Sequence, residues 1–122
     1  MDVQTALLLS AVETCAAIDR VEAEAEEKVV THQDLWAVRD AALKNFRDGY
    51  IGIMASLADA AFRGDAFAKA WITEAFGDHA HDQAGEEFGG YRTLPDRATV
   101  DARIAAVPAN VARATLRSLA AQ

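Results

Sequence analysis

The sequence predicts an all-α fold, a compact helical bundle of four to five helices with two long antiparallel helices at its centre. Three observations predict it. Apolar side chains recur every three or four residues over long stretches. Alanine, the best helix former, supplies much of the 52% hydrophobic content, and the two prolines, Pro95 and Pro108, fall late in the chain. A chain of 122 residues is the size of one domain and can bury roughly two-thirds of its unfolded surface. Residues 1–122 are therefore read as a single helical domain, with a polar loop over 77–94 and basic helices over 95–122.

The first helix is expected from Val3 to about Lys28, because Val3, Leu7, Ala11, Thr14, Ile18, Val21 and Ala25 form one apolar stripe. Leu8, Val12, Cys15 and Ala16 widen that face, which points to a central position or to sharing with a second subunit. The second half of this helix carries Glu22, Glu24, Glu26 and Glu27.

Thr31 with Asp34 resembles a capping box, and Leu35, Val38, Ala42, Phe46, Tyr50, Ile53, Leu57 and Ala61 continue a helical period to Phe62. Gly49 and Gly52 interrupt this helix at a cost of about 1 kcal/mol each, and close helix approach is the expected reason. Gly64 ends the helix, Asp65 caps the next, and Phe67, Trp71, Ile72 and Ala75 define a short amphipathic helix closed by Gly77. Both tryptophans, Trp36 and Trp71, have the spacing of core residues. Between Gly77 and Thr93 the helical pattern stops, and a loop without strands is expected. Pro95 and Asp96 suit the start of a helix reaching Val107, and Pro108 separates it from a last helix holding Val111, Ala112, Leu116, Leu119 and Ala120.

Charge narrows the function. Nineteen acidic and twelve basic residues give a net charge of −7, which repels a phosphate backbone or an anionic membrane, so neither nucleic acid nor membrane is an expected partner. Residues 1–30 carry −5, 31–64 are neutral, 65–90 carry −5 and 91–122 carry +3. The simplest use of this separation is neutralisation within the fold or between subunits. The single cysteine, Cys15, lies among apolar residues and suits a reducing compartment. Asp2 and Glu13 in the opening segment argue against a signal peptide or anchor, and a cytoplasmic location is expected.

The densest run of titratable groups is GDHAHDQAGEE, residues 77–87. His79 and His81, with Asp78, Asp82, Glu86, Glu87 or His32, have the chemistry to ligate a divalent ion. The fragment HAHD resembles part of the H-x-H-x-D-H motif of metallo-β-lactamase-type hydrolases. The pattern departs at once, with Asp82 one residue early and Ala84 where a histidine should follow. No metal or other cofactor is expected. Ser10, Ser56, Ser118 and Cys15 lack an elbow motif or a neighbouring base, and GEEFGG lacks the Lys-Ser/Thr of a phosphate loop.

With no converging catalytic set, the expected function is non-enzymatic. The sequence suggests a small acidic protein of bacterial or phage origin that inhibits or regulates a partner by occupying its basic surface, through Glu22, Glu24, Glu26 and Glu27. A homo-oligomer is also expected from the wide apolar face of the first helix. The alternative is an anionic-ligand or metal-binding protein, or an enzyme, with a pocket under residues 77–93. Asp82, Glu86, Tyr91, Arg92, Arg113 and Arg117 would form it.

Overall fold

A computed structural model describes residues 2–80 and 91–122 of the chain. The fold is all-α: α1 spans Val3–Glu27, α2 His32–Phe62, α3 Ala66–Phe76, α4 Arg97–Ala105 and α5 Ala109–Ala120. Each of the first three helices begins with a side-chain cap. Asp2 accepts from Thr5 N at 2.7 Å, Thr31 from Asp34 N at 3.0 Å and Asp65 from Ala68 N at 2.9 Å, each satisfying a backbone donor with no intrahelical partner. Gly64, after α2, takes a φ of 97°, which lets the chain turn without a Cβ clash.

The loop expectation is corrected at its two ends. Asp78–Ala80 and Tyr91–Thr93 pair as short antiparallel strands, β1 and β2, with Asp78 opposite Thr93 and Ala80 opposite Tyr91. Three residues each, with no alternation of polar and apolar groups, leave no period to read. The ribbon is held from outside: Arg103 donates to Phe76 O at 2.7 Å and to Asp78 at 2.5 Å, and Arg92 donates to Glu74 O. These guanidinium groups meet the carbonyl end of α3, where cations are favoured.

The two long helices run antiparallel, Thr14 of α1 lying beside Gly49 of α2, and both pack against α5. A Cβ at Gly49 would stand 2.6 Å from Thr14 Cγ2, so this glycine permits the close approach. Gly52 has open space around its Cα, so close packing does not account for it.

Phe46, Tyr50, Met54 and Leu57 of α2 form the centre of the core, with Cys15 and Ile18 of α1, Ile72 of α3, Val100 and Ile104 of α4, and Leu116 of α5. Each such large apolar side chain contributes about 1.5–3 kcal/mol on burial. No helix among the described residues is long and apolar enough to cross a membrane.

The core covers only part of the long helices. By their lengths, α1 extends about 37 Å and α2 about 46 Å, and from Asp19 to Ala41 no side chain is buried. Past Asp19, whose carboxylate Arg117 of α5 still reaches, these residues form a two-helix arm beyond the bundle. Trp36 is therefore not in the core, as its spacing predicted, but 58% exposed, with the His32 ring edge-on at 6.2 Å. Val21, in the predicted apolar stripe, is 56% exposed. The helical period continues into the arm while the helices that would cover it do not.

Candidate functional site

The arm carries a largely apolar cleft of about 260 Å³ walled by Ile18, Val21, Glu22 and Ala25 of α1 and by Ala37, Val38, Ala41, Ala42 and Asn45 of α2. Small residues open it. Alanines at 25, 37, 41 and 42 leave space where leucine would fill a bundle, and no residue of α3, α4 or α5 reaches it. Its volume lies below the roughly 300–1,000 Å³ of ordinary small-molecule pockets. Its walls contain one titratable group, Glu22. The shape therefore suits an anchoring side chain or a packed helix better than a reaction.

Glu22 is half-buried at this wall, and Glu24, Glu26 and Glu27 are exposed on the turn that follows. None of the four takes part in an ion pair among the described residues. Four of the C-terminal arginines, by contrast, are engaged elsewhere. Arg117 on α5 grips Asp19 on α1, Arg97 bridges Asp59 and Asp101, Arg103 meets Asp78, and Arg92 lies 3.8 Å from the Glu74 carboxylate. The hydrogen bonds from Arg117 hold the Asp19 carboxyl below its usual range. They also raise Arg117, to which the charge of Glu22 adds a small share. Thus four of the five C-terminal arginines, at 92, 97, 103 and 117, are paired with carboxylates, and Glu24, Glu26 and Glu27 are left facing solvent.

The residues predicted for a pocket under 77–93 do not form one set among the described residues. Asp82 and Glu86 lie outside them, and Tyr91 is in β2. Arg92 turns to α3, while Arg113 and Arg117 lie over the Phe46 ring at 5.3 and 4.9 Å. Of the metal candidates, His79 is in β1, His81 and Glu87 lie outside the described residues, and His32 stands at the start of α2. No group of three or more metal-ligating side chains gathers among the described residues.

Two other groups have environments unsuited to catalysis. Burial pushes the Cys15 thiol up, which favours the unreactive protonated form, and pushes the Tyr50 phenol up to about 12. A second cleft, of about 410 Å³, lies between Trp71 of α3 and a face of α5 that includes Val111, Thr115 and Ser118, and its lining has no acid or base.

The cleft was not read from the sequence. Its signal was present as Ala37 and Ala41, which widen the apolar stripe of α2 beside Val38 and Ala42, as in helices with neighbours on more than one side. No protein-family model, curated protein or solved structure matches this chain.

Proposed function

We propose that this protein is a non-enzymatic interaction protein whose α1–α2 arm docks onto a basic surface of another protein. The observation that supports it most is the arm itself, since from Asp19 to Ala41 nothing is buried, yet an apolar cleft opens there beside a cluster of glutamates that form no ion pair among the described residues. Exposed apolar surface rimmed by charge is characteristic of protein-binding sites. Inhibition or regulation of a bacterial or phage partner is the role we assign, the acids standing where a basic surface would otherwise meet its own anionic ligand.

A benzophenone side chain at Ala41, compared with one at Ser118, tests this in cells. The site predicts a specific cross-linked protein from the arm position. The purified partner should bind more weakly at high salt and to a variant with Glu22, Glu24, Glu26 and Glu27 replaced by glutamine. Full binding by that variant, with loss on Tyr91→Ala and Arg92→Ala, would instead favour the pocket under 77–93.

Self-association has a separate basis. Leu9 and Val12, each 44% exposed, lie in the half of α1 that does not line the cleft, and we assign to them any contact between copies.

A further inference from the structure

We infer that the α1–α2 cleft receives one amphipathic helix of a partner, with branched aliphatic side chains at its centre and lysine or arginine toward both ends. This rests on the interaction reading above and specifies its ligand.

The floor dictates the aliphatic centre. Along α2 it is Ala37, Val38, Ala41 and Ala42, faced across the cleft by Ile18, Val21 and Ala25. A groove between two antiparallel helices accepts the side-chain ridge of a third, the usual way helices pack. Small residues on the floor require the bulk to come from the occupant.

Charge dictates the ends. On α2 the stripe of Ala37, Ala41 and Asn45 is continued at helical spacing by Asp34 on one side and Asp48 on the other, both exposed. Neither joins an ion pair among the described residues, and Glu22 stands in the opposite wall. From Asp34 to Asp48 the helix rises about 21 Å, the length of roughly fourteen helical residues. A basic group near each end of an occupant that long meets a carboxylate. A second copy of this chain would instead bring its own carboxylates to the same surface, at a net charge of −7 per chain.

A fluorescent eighteen-residue peptide of leucine and lysine, patterned at helical period with lysines clustered toward the ends, is the probe. Its binding is followed by anisotropy against a scrambled peptide of the same composition. The patterned peptide should bind at least tenfold more tightly than the scrambled one. Ala41→Glu should weaken it at least tenfold, although the added negative charge by itself would attract lysine. Ala37→Trp, which fills the floor without charge, should do the same, and circular dichroism should show both variants folded, since both sites are exposed.

Equal binding of the two peptides, or unchanged binding by Ala41→Glu and Ala37→Trp, overturns the inference. If binding in that case still falls with the four-glutamine variant, the acidic docking reading survives without the helix-binding cleft. If sedimentation shows a dimer that Ala41→Glu dissociates, the occupant is a second copy and the inference also fails.

Discussion

Arg117 and Asp19, ninety-eight positions apart, close the bundle: both terminal guanidinium nitrogens of Arg117 on α5 donate to the Asp19 carboxylate on α1, one at 2.7 Å. The same guanidinium lies 4.9 Å from the centre of the Phe46 ring on α2, so a single side chain ties three helices. Both partners remain about two-fifths exposed, and solvent screening holds the pair to about 0.5–1 kcal/mol.

Stability should therefore depend on pH through Asp19. Its folded carboxyl lies below the ordinary 3.8, so the contribution is complete above the unfolded value and is lost as pH falls through the folded one. In urea titrations Asp19→Asn should be less stable than wild type at pH 7, with the difference shrinking below about pH 4. A constant difference down to pH 2 would show that the ion pair is not its source.

Gly49 and Gly52 should respond oppositely to alanine. At Gly49 the new Cβ meets Thr14 Cγ2, and overpacking of about 1–3 kcal/mol exceeds the gain in helix propensity. Gly52 has no atom in the way, so Gly52→Ala should stabilise by about 0.5–1 kcal/mol. Adding Thr14→Ser, which deletes the obstructing methyl, should recover most of the loss at Gly49. Thermal melts of the four proteins check this.

The four glutamates should serve association more than folding. Replacing Glu22, Glu24, Glu26 and Glu27 with glutamine should leave the melting temperature within a few degrees, because none is paired among the described residues. It should slow association with the basic partner and flatten its salt dependence. Stopped-flow rates at low and moderate salt measure both.

For self-association, position along α1 matters. Leu8 is packed against the core, so Leu8→Glu should destabilise the monomer itself. Leu9→Glu with Val12→Glu alters exposed positions and should leave the fold intact. Sedimentation at micromolar concentration should show a dimer for wild type and a monomer for this double variant; a wild-type monomer removes the proposal.

Local chemistry explains which elements were legible. Asp2, Thr31 and Asp65 cap helices through atoms three residues away, and the stripe from Phe46 through Ile53 to Leu57 states its period within one segment. The β1–β2 ribbon was illegible because its support comes from Arg103, twenty-five residues beyond Asp78. Glu22 was visible as part of a charge run, but the cleft beside it exists only once Ala25 and Ala41 face each other.

The sequence by itself determined an all-α chain, its helix boundaries within a residue or two, and the separation of acidic from basic segments, because periodicity, caps and charge are local properties. The tertiary structure alone decided which acids the arginines neutralise and where the bundle stops covering its own long helices. Leu35 and Phe46 lie on one stripe of α2, eleven residues apart, yet Phe46 is fully buried with Arg113 and Arg117 of α5 over its ring, whereas Leu35, out in the arm, is only half-buried. Burial is a property of what lies across from a side chain, and that is set by the packing of distant segments.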